Sequence, residues 1–166
     1  MKNGENIVLI GMPGVGKSTV GVLMAEWLGY SFLDTDIYIQ AREGRKLQEI
    51  IDCEGLDGFC KIEEQAILVL SCEAHVISTG GSAVYSKRAM QHLKKNSTVC
   101  HLDMPSQQLK ERLDNFKTRG IVMVPGQSIE TLYRERHPLY MKYADITVDC
   151  TDMKPNEVIE KLLEHL

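Results

Sequence analysis

The sequence predicts an α/β fold in which a five-stranded parallel sheet lies between two layers of helices. Residues 7–10 form a continuous apolar run, which is typical of a strand buried on both faces. Apolar side chains then recur at helical spacing over residues 20–28, and strand-like and helix-like stretches alternate along the rest of the chain. The predicted strands lie near residues 5–10, 31–34, 75–79, 97–103 and 145–149. The predicted helices lie at about 17–29, 36–42, 46–53, 57–72, 86–95, 105–114, 128–141 and 155–165.

The composition indicates one domain over residues 1–166 that acts on small molecules. A chain of 166 residues with 43% hydrophobic residues has the size of a single domain with a sizeable core. The net charge is −4 and the basic residues are scattered, which argues against a nucleic-acid surface. The chain contains no apolar run of the roughly 18 residues that a membrane helix needs, and we expect no signal peptide. We therefore expect a cytoplasmic monomer that binds neither nucleic acid nor membrane.

The five cysteines predict reduced thiols. Their number is odd and no C-x-x-C pair occurs, which argues against both a disulfide framework and a zinc site. The histidines likewise lack the spacing of metal ligands.

Residues 11–18 match the phosphate-binding loop pattern G-x-x-x-x-G-K-[ST], and the loop lies between the first strand and the first helix. Its glycines allow successive backbone N–H groups to face a polyphosphate, and the following helix presents its positive end to the same anion. Lys17 would reach the β- and γ-phosphates of ATP, and Ser18 would bind Mg²⁺. The alternative is a glycine-rich turn with an exposed lysine. The predicted nucleotide-binding residues of this segment are Gly14, Val15, Gly16, Lys17, Ser18 and Thr19.

Asp34 and Asp36 lie at the end of the second predicted strand. Two residues of spacing point both carboxylates to the same side of a strand, toward the ligand crevice of a parallel sheet. One carboxylate near Mg²⁺ can hold its water shell, and the other can orient an attacking hydroxyl and accept its proton. Alternatively, one of them caps the next helix.

Two further segments carry candidate binding groups. Gly80 and Gly81 follow the third predicted strand, where they permit close approach of a ligand to the backbone, although a plain turn explains them equally well. Arg136 lies on the apolar side of the helix at 128–141. A guanidinium there needs an anionic partner, which is either an internal carboxylate or an acid group of the substrate.

Residues 115–127 interrupt the alternation of strands and helices, and they predict a mobile lid that keeps water from the transferred phosphate. Arg119 lies within this segment, where it can meet the charge of the transferring group. An ordinary long surface loop is the alternative. The predicted catalytic residues are therefore Lys17, Asp36 and Arg119.

Taken together, these motifs resemble the shikimate kinase family along nearly the whole chain. Beside the phosphate loop, the resemblance rests on Phe32-Leu33-Asp34-Thr35-Asp36, Gly44-Arg45, Phe59, Ile62-Glu63-Glu64, Ser78-Thr79-Gly80-Gly81, Arg136, Pro138-Leu139-Tyr140 and Val148-Asp149. It implies a three-layer P-loop kinase fold like that of nucleoside monophosphate kinases, with a substrate-binding helical region at about 35–62. It also implies ATP-dependent phosphorylation of the 3-hydroxyl of shikimate.

The resemblance also implies particular roles. Asp34 would support Mg²⁺ through water, Asp36 would bind the substrate hydroxyls, and Arg136 would bind the substrate carboxylate. Gly80 and Gly81 would offer backbone groups to the substrate. The adenine would lie between Arg112 and Pro155.

Three positions depart from the family pattern. Cys60 follows Phe59 where the family usually has an arginine that grips the substrate, Ser82 replaces a third glycine, and Gly120 replaces a proline after Arg119. Two other readings therefore stay open. One is a P-loop kinase of another small polyol or hydroxy acid, and the other is a non-catalytic nucleotide-binding relative.

Overall fold

The computed structural model describes residues 4–114, 122–124 and 126–166. Within them the strands are β1 (Asn6–Ile10), β2 (Ser31–Asp34), β3 (His75–Ser78), β4 (Ser97–Asp103) and β5 (Ile146–Asp149). The helices are α1 (Lys17–Leu28), α2 (Thr35–Glu43), α3 (Leu47–Leu68), α4 (Lys87–Leu93), α5 (Ser106–Asp114), α6 (Ile129–Tyr143) and α7 (Pro155–His165). Two short 3₁₀ turns lie at Ala83–Tyr85 and Lys94–Asn96.

The five strands form one parallel sheet in the order β2-β3-β1-β4-β5. All five residues of β1 are buried, as expected for a central strand covered by helices on both faces. Helix α1 packs against α7, and α3 packs against α4. Right-handed crossovers between parallel strands would place these two pairs on opposite faces of the sheet. The predicted five-stranded parallel sheet flanked by helices is confirmed.

A second, smaller apolar cluster lies beyond the carboxyl end of β2, between α2 and α3. Its buried members are Ile39, Ile50, Phe59 and Ala66, and Val122 packs against it. This helix pair corresponds to the predicted substrate-binding region at 35–62, and it forms one wall of the cavity described below. Most of the predicted lid at 115–127, including Arg119, lies outside the described residues, so the lid stays a prediction.

One predicted helix break agrees with the structure, and one predicted helix end was wrong. The helices predicted at 46–53 and 57–72 both lie within α3, whose backbone is non-helical at Gly55, where φ is 69°. Its end comes at Leu68 rather than at 72, because the backbone that follows joins the sheet edge. The carbonyl of Cys72 accepts a hydrogen bond from the side chain of Asn6, and that of Ala74 accepts one from the backbone of Ser31.

In the part of the chain that the structure describes, none of the helices combines the length and the apolar character needed to cross a membrane.

Candidate active site

The phosphate loop joins β1 to α1, and its backbone has the geometry that the glycines predict. Gly16 has φ 108° immediately before α1 begins, in the left-handed region that side chains disfavour. Lys17 folds back over the loop, and its Nζ donates hydrogen bonds to the carbonyls of Gly11 and Met12 at 2.8 and 2.9 Å. The amino end of α1 and this ammonium group therefore lie at one place, which is the arrangement that binds a polyphosphate.

A cavity of about 350 Å³ extends from the phosphate loop to the helix pair α2 and α3. Both the predicted nucleotide-binding groups and the predicted acceptor-binding groups line it. These include Lys17, Ser18, Asp34, Asp36, Gly81 and Arg136. The structure thus brings together Lys17 and Arg136, which are 119 positions apart in the sequence.

Asp34 has two roles, because each of its carboxylate oxygens binds a different group. Its Oδ1 accepts hydrogen bonds from the backbone N–H groups of Asp36 and Ile37, so Asp34 is the N-cap of α2. Its Oδ2 accepts a hydrogen bond of 2.7 Å from the hydroxyl of Ser18. The strand-based argument for Asp36 was wrong in its geometry, because Asp36 lies in the first turn of α2. The expectation that both aspartates line the cavity nevertheless agrees with the structure.

Gly80 follows β3 and is tightly enclosed. Its backbone N–H donates to the hydroxyl of Thr35 at 3.0 Å. A Cβ atom at this position would lie only 2.7 Å from Oδ1 of Asp36, and it would also overlap Oε1 of Glu63. A side chain at this position would have to displace the two carboxyl groups that surround it.

Arg136 projects from α6 toward Gly81 and is almost fully buried. Its Nε donates to the hydroxyl of Tyr85 at 3.0 Å, another of its nitrogens donates to the carbonyl of Val122, and the guanidinium stacks on the Tyr85 ring. A Cβ at Gly81 would lie 3.0 Å from the remaining nitrogen, NH1, so that nitrogen faces the glycine segment. The carbonyl of Gly81 accepts a hydrogen bond of 2.8 Å from Tyr140. These contacts fix a cation at the cavity wall.

Cys60, Glu63 and Ser82 line a neighbouring cavity of about 160 Å³. Cys60 is absent from the described lining of the larger cavity. The predicted substrate position 60 therefore lies in the wall of the smaller cavity instead. Burial, with the charge of Glu63 as a smaller cause, raises the pKa of the Cys60 thiol to about 11. The thiol is therefore neutral at physiological pH, and it cannot supply the charge of an arginine.

The predicted adenine-binding residues lie on two elements, Arg112 in α5 and Pro155 at the start of α7. Arg112, in the last turn of α5, donates to the carbonyl of Val15 at 3.3 Å. One turn earlier, Gln108 donates to Asp152 at 3.0 Å, which joins α5 to the loop that precedes Pro155. The placement of the adenine between Arg112 and Pro155 stays a prediction. Thr19 is exposed on the first turn of α1.

Three residues of the site were not predicted as site residues from the sequence. Glu63 is buried behind Gly80 and accepts a hydrogen bond from Ser82, and Tyr85 holds Arg136 in place. A signal for Glu63 existed, because an acidic residue three positions after Cys60 lies on the same side of the helix. No sequence signal pointed to Tyr85, since a tyrosine after a loop is unremarkable.

A phosphate loop that faces an enclosed acceptor cavity on this sheet defines a P-loop kinase of small molecules. The family model described as shikimate kinase matches residues 13–166, and the chain belongs to that family. It is 39% identical over 152 residues to a shikimate kinase of Thiobacillus denitrificans, with 90% of this chain and 83% of the relative covered. It is 37% identical to a shikimate kinase of Thermodesulfovibrio yellowstonii, with 96% and 94% covered.

A solved structure agrees with this assignment. Shikimate kinase from Acinetobacter baumannii, in complex with shikimate, superposes with a TM-score of 0.90 at 33% sequence identity, with 97% of this chain and 92% of that chain covered.

Proposed function

We propose that this chain transfers the γ-phosphoryl group of ATP to the 3-hydroxyl of shikimate, giving shikimate 3-phosphate and ADP. The observation that carries the proposal is the single cavity lined by Lys17, Asp36 and Arg136. These are a phosphate-binding cation, a carboxylate for the acceptor hydroxyl and a cation for the acceptor carboxylate. The A. baumannii relative was solved with shikimate, an acceptor that carries both of these groups.

ATP binding rests on the phosphate loop. The backbone of residues 14–19 and the amino end of α1 receive the phosphates, and Lys17 exchanges its two carbonyl contacts for phosphate oxygens. The base lies between Arg112 and Pro155. Arg119 meets the charge of the transferring group from the predicted lid.

The donor set at Ser18 and Asp34 fits Mg²⁺. Mg²⁺ takes oxygen ligands and keeps several waters, and here a hydroxyl and a carboxylate oxygen lie 2.7 Å apart beside the phosphate loop. Ser18 would bind the ion directly, and Asp34 would bind it through water. When bound, the ion would offset the negative charge of the phosphates during transfer.

The acceptor lies between α2, the glycine segment and α6. Asp36 orients the acceptor hydroxyl and takes its proton as the new oxygen–phosphorus bond forms and the bond to the ADP oxygen breaks. The backbone of Gly80 and Gly81 contacts the ring hydroxyls, and NH1 of Arg136 binds the carboxylate. The monomeric state and the cytoplasmic location stay predictions.

The test measures ADP release with shikimate, quinate, gluconate, homoserine and nucleoside monophosphates, and phosphorus NMR then identifies the product. We expect shikimate to be preferred and its 3-phosphate to form. Lys17→Ala should abolish turnover, and Lys95→Ala, which changes an exposed lysine in the turn after α4, serves as its matched control. Efficient turnover of another hydroxy acid without turnover of shikimate would replace this proposal with the second reading.

A further inference from the structure

The carboxyl group of Glu63 lies directly behind the acceptor site, and the residue is only 2% exposed. Its Oε2 accepts a hydrogen bond of 2.7 Å from the hydroxyl of Ser82. Its Oε1 has no hydrogen-bond partner among the described residues. A Cβ atom built on Gly80 would overlap both this unpartnered oxygen and Oδ1 of Asp36, so the two carboxyl groups lie on the same side of Gly80. Two carboxyl groups therefore enclose the protein backbone at Gly80, in the acceptor site.

Charged and titratable groups from several elements surround Glu63. Asp36 comes from α2, Lys17 from α1, Arg136 and Tyr140 from α6, and Cys60 from one turn earlier on its own helix. Within residues 4–114, 122–124 and 126–166, the hydrogen bond from Ser82 is the direct polar contact that the carboxyl group makes. The charges of Arg136 and Lys17 favour its ionised form.

Burial without an ion-pair partner favours the neutral acid. Burial raises the pKa of Glu63 to about 8, and the charge of Asp36 raises it further, whereas the Ser82 hydrogen bond, Arg136 and Lys17 oppose the rise. A neutral carboxyl group also fits the geometry. Its carbonyl oxygen accepts from Ser82 while its proton is carried on Oε1, on the side of Gly80 where Asp36 lies.

We propose that Glu63 is a positioning residue that works as a neutral acid. Ser82 holds its carboxyl group against Gly80, and this contact supports the protein backbone at the acceptor site. Because the acid is neutral, it places no second negative charge beside Asp36. This inference rests on the acceptor chemistry proposed above. The acceptor carries a carboxylate, and Arg136 is the buried cation that faces it. An ionised Glu63 would oppose Arg136 and weaken acceptor binding.

The first test measures KM and kcat for shikimate from pH 6.5 to 9.5. In the unchanged protein we expect KM to rise above about pH 8, approaching tenfold per pH unit, while kcat changes much less. Glu63→Ala should raise KM at least fivefold at pH 7, because the support of Gly80 is lost. Glu63→Gln should recover most of that loss and should remove the rise at high pH, since an amide cannot ionise.

Two variants sharpen this test. Glu64→Gln is the matched control, because Glu64 is bonded to Ser86 and Arg88 outside the acceptor cavity and should leave the pH profile unchanged. Ser82→Ala removes a donor that stabilises the carboxylate, so the rise in KM should begin at a higher pH. The inference is overturned if folded Glu63→Gln binds shikimate as poorly as Glu63→Ala at pH 7, or if it retains the rise in KM.

The second test needs neither acceptor turnover nor a variant. Carbon NMR of protein labelled at the glutamate carboxyl carbons, with Glu63 assigned through its backbone, should show this group titrating near pH 8. A midpoint below about pH 5.5 would disprove the neutral acid. Failure of the unchanged protein to phosphorylate shikimate would instead count against the proposed function, so the two failures are distinguishable.

Discussion

The buried carboxyl group of Glu63 should make the protein less stable as the pH rises, and replacing it with glutamine should remove this effect. Glu63 has an ordinary pKa of 4.5 when unfolded and a pKa of about 8 in the folded protein. Between these values the folded state holds a proton that the unfolded state has released. The folded state therefore loses stability as the pH rises through this window, and the loss is complete above about pH 8.

Each pH unit within the window changes the free energy of unfolding by roughly 1.4 kcal/mol. From pH 5 to pH 8 the wild-type protein should thus lose up to about 4 kcal/mol through this one group. Structural relaxation around the ionised acid reduces that figure, so a measured loss of about 2 to 4 kcal/mol agrees with the argument. Such a change is a large fraction of the ~5–15 kcal/mol by which small domains are stable.

The assay is urea denaturation followed by circular dichroism at intervals of half a pH unit. Other groups, among them His101, whose pKa burial lowers to about 4, also contribute to the pH dependence, so the informative quantity is the difference between variants. The stability advantage of Glu63→Gln over wild type should grow from pH 5 to pH 8, whereas Glu64→Gln should follow the wild-type slope. Parallel curves for Glu63→Gln and wild type would refute the reasoning.

Three further predictions concern the reaction. Lys17→Ala should abolish turnover and weaken ATP binding in calorimetry, and unchanged affinity with unchanged activity would remove the basis of the assignment. Asp36→Asn should lower kcat severely and leave nucleotide binding nearly intact, and a loss of Mg-ATP affinity at normal kcat would instead assign Asp36 to the metal. Cys60→Arg should lower KM for shikimate by up to about one to two decades, because the added guanidinium would give the acceptor carboxylate a second cation and offset any charge on Glu63, and an unchanged KM would contradict this.

Much of the fold could be predicted because local sequence patterns determine it. The apolar run of β1 requires burial on both faces, and the glycines before Lys17 permit a backbone that side chains disfavour. The order of the strands is less local. The pairing of β1 with both β3 and β4 depends on crossover connections, which a single sequence indicates only through the class of fold.

Site residues that lie together in one segment could be predicted from the sequence. Site residues that come together only through contacts between distant segments were missed. Asp34 and Asp36 were correctly expected at the cavity, but the strand geometry used for Asp36 was wrong, because Thr35 already begins α2 and Asp34 caps it. The contact between Glu63 and Ser82 joins residues 19 positions apart on different elements. No periodicity within one helix or loop encodes such a contact.

The departures at positions 60 and 82 appear separate in the sequence, and the structure relates both to the carboxyl group of Glu63. Without an arginine at position 60, an ionised Glu63 would be a buried charge whose Oε1 has no hydrogen-bond partner among the described residues, which is destabilising by several kcal/mol. Protonation removes the charge, but a neutral carboxyl group still needs a hydrogen-bond donor for its carbonyl oxygen. Ser82 supplies that donor, which a glycine at the same position could not do. The serine and the cysteine are therefore consistent with each other, and together they leave Arg136 as the buried cation available to an acidic acceptor.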